Sequence, residues 1–177
     1  MRRLAVLLGI AFIAFASSAV AVAATGTTTL TGTSEWSGGT FDNPLTVTTS
    51  HGTFAGSLGK GTYEGTLTGS GPSYTSTDCI SYCQPVTGAI TFSGHRGSFT
   101  GVVQPGSFVR VEDFHPRIQS RNFTLTLLVT DGTRSYAHAD GSLLTLSYTS
   151  ERRVDFTEDF QIVITISDTG LLTGDLH

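Results

Sequence analysis

Residues 52–69 read GTFAGSLGKGTYEGTLTG, two passes through one frame. Gly52-Thr53-Phe54-Ala55-Gly56 and Gly61-Thr62-Tyr63-Glu64-Gly65 each set an aromatic between glycines, and Gly97-Ser98-Phe99-Thr100-Gly101 is a third version. Glycine weakens a strand, because it gives up the most backbone freedom and offers no side chain to pack. An aromatic beside it changes that balance: the ring can lie across bare backbone, and the strand can coil sharply. Along Gly52–Leu58 the glycines, Phe54 and Leu58 share one face of a strand. The frame therefore reads as a device for strongly curved sheet. A phosphate-binding reading of the glycines fails, since no helix follows to offer its N-terminus.

The rest of the chain agrees. It holds 29 threonines and a single lysine, Lys60, and alanine is scarce after residue 25, a composition that opposes helix and favours strand. From Arg121, Phe123, Leu125, Leu127 and Val129 alternate with Asn122, Thr124, Thr126 and Thr130. From Val154, Phe156, Phe160, Ile162, Ile164 and Ile166 alternate with polar residues. Period-two patterning marks strands with one face buried, which places Phe156, Phe160 and Ile164 in the core. Asp131-Gly132, Asp140-Gly141 and Asp168-Thr169-Gly170 read as hairpin turns. The second half is then a meander of strands near 121–130, 133–139, 142–150, 153–166 and 171–176. The first half offers shorter candidates at 27–31, 45–50, 52–58, 61–68, 86–93, 97–103 and 107–113. Many short strands with frequent turns make an all-β fold, a single antiparallel β-barrel with a β-sandwich as the alternative.

Compartment is written at the N-terminus. Met1-Arg2-Arg3, an apolar run from Leu4 to Ala16 and small residues ending Ala21-Val22-Ala23-Ala24 form the three parts of a secretory signal over 1–24. A retained anchor is the alternative, because Leu4–Ala24 is just long enough to span a bilayer. Cleavage leaves one domain, residues 25–177, and takes Arg2 and Arg3 from a formal charge of −4, giving −6. Such a chain lacks the basic face that nucleic acid requires. Outside the cell, Cys79 and Cys83, the only cysteines, read as a disulfide pinning a loop tip. No partner cysteines or histidines stand near them to make a metal site, and no motif implies a cofactor.

Asp131-Gly132-Thr133-Arg134-Ser135-Tyr136-Ala137-His138-Ala139-Asp140-Gly141-Ser142-Leu143-Leu144-Thr145-Leu146 resembles a hairpin of the allene oxide cyclase and dirigent barrels. Gly132, Tyr136, Ala139, Gly141 and Leu146 fit that family's Gly-x-Gly-x-Tyr/Phe-x-x-Ala-x-Gly-x-x-x-Leu pattern; Arg134 stands where its second glycine belongs. The resemblance implies an eight-stranded barrel with an apolar-lined cavity, often dimeric or trimeric. It carries over no catalytic residue.

Residues that could carry chemistry are few. Arg134, Tyr136, His138 and Asp140 fall on one face of the expected 133–139 strand, either towards water or lining a wet lumen. In a lumen His138 could exchange a proton near neutrality while Arg134 steadies an anion. Glu158 sits on the apolar register of Val154 and Phe156, so it is either turned outward by a bulge or strand end, or desolvated in a cavity. "RVEDFHPR", with Arg110, Glu112, Asp113, His115 and Arg117, reads as a strand end and surface loop. Trp36, the sole tryptophan, is a core residue, a barrel plug or a ligand platform. Asp168-Thr169-Gly170 lacks the second such loop that an aspartic protease needs, and no Gly-x-Ser-x-Gly elbow supports a serine hydrolase.

These observations point to a secreted, non-catalytic barrel that binds a small apolar or amphipathic molecule or serves the cell envelope. Tyr136, Arg134, His138 and Trp36 are its candidate ligand contacts. A cofactor-free isomerase or cyclase using His138, Arg134 and Glu158 is one alternative, and an adhesive module with a threonine-rich face another. The shape of the lumen discriminates among them.

Overall fold

The computed structural model describes residues 26–38, 45–76, 79–115, 118–158 and 161–176. The expected signal segment 1–24 lies outside them. Ten strands form: β1 (Gly26–Gly38), β2 (Leu45–Gly56), β3 (Gly59–Gly69), β4 (Tyr74–Ser76), β5 (Cys79–Gly94), β6 (Gly97–Val103), β7 (Phe108–His115), β8 (Ile118–Thr130), β9 (Leu143–Phe156) and β10 (Ile162–Gly174). All pairings are antiparallel, in an up-and-down meander in which β3 passes over the short β4 to pair with β5, and β6 pairs with β8. β6 and β7 share one position between β5 and β8, broken by the turn at Gln104–Ser107. β1 closes on β10 through seven pairs, Gly26↔Gly174 to Gly32↔Asp168. The result is a closed eight-stranded barrel, the antiparallel barrel expected from many short strands and frequent turns; the sandwich alternative is not what forms.

The frame works as read. One cross-strand row runs Asp168, Gly32, Gly52, Tyr63, Phe92, Phe99. Tyr63 lies over the bare backbone of its two glycine neighbours. A Cβ on Gly52 would stand 2.8 Å from Tyr63 Cε1, and one on Gly32 2.5 Å from its hydroxyl. Phe54 covers Gly61 in the same way, 2.7 Å from where a Cβ would be. The rings then fill the barrel as a chain: Tyr136–Phe99 at 5.2 Å, Phe99–Phe92 at 4.9 Å, Phe92–Tyr63 at 6.4 Å, Tyr63–Tyr148 at 6.4 Å and Tyr148–Phe123 at 5.8 Å. Leu30, Leu67, Ile90, Leu125, Leu127, Leu146 and Leu172 complete the core. Threonines line the outer wall, in rows such as Thr31–Thr53–Thr62. That is the opposite of the apolar belt of a transmembrane barrel.

The two ends of the barrel differ. At the end where β1 starts, residues 131–142 fold over the opening. The expected strand 133–139 does not form: Arg134–Tyr136 is a single 3₁₀ turn. Thr133 is tied to Ser98 through both its amide (2.8 Å to the Ser98 carbonyl) and its hydroxyl (2.9 Å from the Ser98 amide). Tyr136 drops its ring inward and donates to the Leu58 carbonyl at 2.6 Å. A polar alternation that could have been a strand edge is instead a lid, because one aromatic at its centre has an apolar hole to fill.

At the opposite end β9 and β10 outrun their neighbours. β8 stops pairing with β9 at Ile118↔Arg153, and β1 leaves β10 after Gly32↔Asp168, while β9 and β10 stay paired out to Phe156↔Ile162. A two-stranded arm therefore overhangs the rim. Its inward register is the apolar one the sequence shows, but among the described residues neither β1 nor β8 pairs alongside it. Phe156, Ile162 and Ile164 are 53%, 63% and 50% exposed. The expectation that Phe156 and Ile164 are core residues is corrected: they have the right parity and the wrong height. Phe160 lies outside the described residues.

Two smaller corrections belong here. Asp168-Thr169-Gly170 is strand, not turn, and the β9–β10 reversal falls at 157–161, where Thr157 N–H donates to the Gln161 carbonyl at 2.9 Å. The Cys79–Cys83 segment is strand backbone paired with β4, through Tyr74↔Cys83 and Ser76↔Cys79, rather than a loop tip. Cys83 is fully buried; the Cys79 side chain, and with it the expected bridge, lies outside the described residues.

Candidate functional site

The open rim is where polar chemistry gathers. Beyond the aromatic row the inward positions turn polar: Ser34 on β1, Thr48 and Ser50 on β2, Arg121 on β8, Ser150 on β9 and Asp168 on β10, all buried. Cross-strand pairing makes this a layer, since Arg121 pairs with Ser150, Ser150 with Asp168, and Ser34 with Ser50. Asp168 is 2% exposed, and its Oδ2 accepts from both the Ser34 hydroxyl and the Tyr148 phenol. Ser34 Oγ and Tyr148 Oη are themselves 3.1 Å apart. Burial pushes the Tyr148 phenol far above its usual range, and the Asp168 charge adds to it. Burial likewise raises Tyr63, with the neighbouring Tyr148 hydroxyl offsetting part of the rise.

Trp36 and Arg121 sit over this layer. The Arg121 guanidinium stacks on the indole at 4.7 Å from its centroid, and Trp36 Nε1–H donates to Ser150 Oγ at 2.9 Å. Because β1 and β10 have parted here, the stack is reached from outside. Glu35, Trp36, Gln119, Arg121, Arg152, Ile164 and Ile166 line a half-open groove of about 410 Å³. Arg152 Nη1 donates to Gln119 Oε1 at 3.2 Å, which holds its guanidinium at the groove wall. The groove thus has an apolar side from the arm (Ile164, Ile166), an aromatic floor, two guanidiniums and the Glu35 carboxylate.

The expected site residues are divided between the ends. Trp36 is in the rim groove. Tyr136 is buried in the lid at the closed end, where Arg134, His138 and Asp140 are exposed. Glu158 is exposed in the reversal at the arm's tip. Arg134, His138 and Glu158 are therefore not brought together. In the "RVEDFHPR" segment Arg110 and Glu112 form an ion pair at 2.7 Å, and Glu112 accepts from Asn122 at 3.0 Å. The Asp113 and His115 side chains and Arg117 lie outside the described residues. Among the described residues no group of three His, Cys, Asp or Glu is placed to hold a metal ion.

Sequence reading took Asp168 for a turn residue and gave Arg121 and Arg152 no part in a binding site. Two of the three have a signal in hindsight. Asp168 and Arg121 break otherwise apolar inward registers, at Asp168–Gly170–Leu172 and Arg121–Phe123–Leu125. A charged residue on a core register marks either a strand end or a polar interior.

The fold and this groove define the molecule as an up-and-down β-barrel, lidded at one end and carrying a half-open groove at the other. No family model matches the chain, and neither does any curated protein or solved structure.

Proposed function

We propose that this protein is a binding module for a small amphipathic molecule, which it takes in the rim groove. The parting of β1 from β10 carries the reading, for it leaves Trp36 and the apolar side chains of the arm facing one half-open space. Ligand sites are concave and mostly apolar, with a few placed polar groups; Trp36, Ile164 and Ile166 supply the first, Arg152 and Gln119 the second. The interior of the barrel is filled by aromatic rings, so the ligand's apolar part lies along the arm rather than down the axis. Export by the 1–24 signal and a Cys79–Cys83 disulfide go with this reading, as does the resemblance of residues 131–146 to the allene oxide cyclase and dirigent barrels.

The sole tryptophan reports on the groove directly. Titrating the purified protein with a panel of medium-chain alcohols, acids and terpenoid alcohols should shift Trp36 emission saturably and raise the melting temperature. Arg152→Gln should weaken the ligands that have a polar end. No emission change and no thermal shift across the panel would remove the proposal.

A further inference from the structure

The arm has a second property that a ligand in the groove does not use. Over Ile162–Ser167, β10 is paired with β9 on one side only; among the described residues no strand faces its other edge. Unpaired backbone amides and carbonyls on a strand edge are a template for another strand. Protective devices on such edges are charges, prolines and bulges, and Ile162-Val163-Ile164-Thr165-Ile166-Ser167 has no charge and no proline. No register shift interrupts its pairing with β9. Among the described residues the Ile166 carbonyl alone is engaged on that edge, by the Thr33 hydroxyl at 3.0 Å.

We infer that the occupant of this edge is a second copy of the same chain. The two β10 edges pair antiparallel about a twofold axis near Ile164. Closed twofold pairing is the commonest way that one surface meets itself. The charges on the arm fit this arrangement. Arg152 and Arg153 stand at its base, level with Ile166 and Thr165, with Glu151 ion-paired to Arg153 at 3.2 Å, so the base keeps one net positive charge; Asp155 is level with Val163, and Glu158 is in the reversal at the tip. An antiparallel twofold carries each acidic tip towards the partner's basic base. A side-by-side arrangement pointing the same way would set acid beside acid. The apolar inward faces, with Phe156, Val154, Ile162 and Ile164, become one face of a four-stranded sheet, and three or more strands with an apolar face are what an isolated ribbon lacks. The pair rests on the arm alone and does not depend on a ligand in the groove.

Sedimentation equilibrium of the purified protein tests this. The expected result is a mass rising with concentration to twice that of the monomer, with association weakened by salt as the paired charges are screened. Ile164→Lys, at an exposed position, should leave the melting temperature of the dilute protein unchanged and weaken association by about tenfold or more. Val163→Lys, on the outer face of the same edge, reads the same effect should the first variant fold poorly. Combining Arg153→Glu with Glu158→Arg should restore association that either change alone reduces. A monomer at every concentration would overturn the inference. So would a dimer indifferent to both lysine variants, or one strengthened by salt.

Discussion

Gly52 shows how a single residue decides curvature. A methyl group there would stand 2.6 Å from Gly32 Cα and 2.8 Å from Tyr63 Cε1, and would collide with the Thr31 carbonyl as well. Backbone is on two of those three sides, so no rotamer change relieves the clash. Gly52→Ala should cost about 2–4 kcal/mol, in the range of overpacked core sites. Gly71→Ala, with open space around it, should leave stability within about 0.5 kcal/mol; chemical denaturation of the two variants makes the comparison. Tyr148 sets a pH limit by a different route. Burial raises its phenol in the folded state, so the unfolded chain gives up its proton first as pH climbs above 10. The folded state then binds more protons than the unfolded one, and stability falls with rising pH, by up to about 1.4 kcal/mol per pH unit for each such phenol. Tyr63 shifts the same way. Melting temperature should be flat between about pH 8 and 9 and drop steeply above 10, and Tyr148→Phe should lower the neutral-pH value while making the alkaline slope shallower. An unchanged slope would show that the Tyr148 proton is not linked to folding.

Elements differ in how much of their fate the residues alone display. The glycine–aromatic frame in β2, β3 and β6 is legible because its reason is local: ring and bare backbone are neighbours across one pair of strands. Alternation in β8 is legible for a similar reason, and Phe123, Leu125, Leu127 and Val129 are buried as it demands. The same alternation in β9 and β10 says which way Phe156 and Ile164 point but not whether anything stands opposite. That depends on where β8 and β1 end, which is a property of other segments. The lid was illegible on different grounds. Thr133–Ala139 alternates well enough for a strand, and only the vacancy beneath Tyr136, built by Phe99 and Leu58, selects a turn. The rim groove combines both difficulties, because Trp36, Gln119, Arg152 and Ile164 come from four strands. Truncation separates equal parity from equal height. Phe92→Ala should cost about 3–5 kcal/mol, as a ring lost from a filled core, whereas Phe156→Ala, at a position 53% exposed past the rim, should cost about 1 kcal/mol or less. Urea unfolding of both reads the difference, and equal costs would mean that Phe156 is as closely packed in solution as Phe92.

For the whole molecule, closure is the property on which the rest depends. Every strand but β1 and β10 finds its partners close by in the sequence, so the barrel is a meander until its first and last strands meet. Seven pairs, Gly26↔Gly174 to Gly32↔Asp168, make that seam, and they hold Leu30, Leu172 and Asp168 in the interior. An open eight-stranded sheet would leave two long edges and an uncovered apolar face, a combination prone to association. A chain ending after Ser167 loses the seam and, with it, the seven β9–β10 pairs from Asp168↔Ser150 to Gly174↔Leu144, and it should aggregate or melt without a cooperative transition. Loss of ten residues could do harm for many reasons, so the comparison that isolates closure keeps all of them. Gly26 and Gly174 are paired neighbours, and a short linker can therefore join residue 176 to residue 26. New termini can be opened in the tight turn between His95 and Arg96, both exposed. This permutant preserves every strand pair but reverses which contacts are local: the β1–β10 seam becomes a hairpin, and β5–β6 becomes the closing step. It should melt cooperatively within a few degrees of the natural chain. Should the truncated chain do so too, the seam would be ornamental and the barrel would be held by its sheet alone.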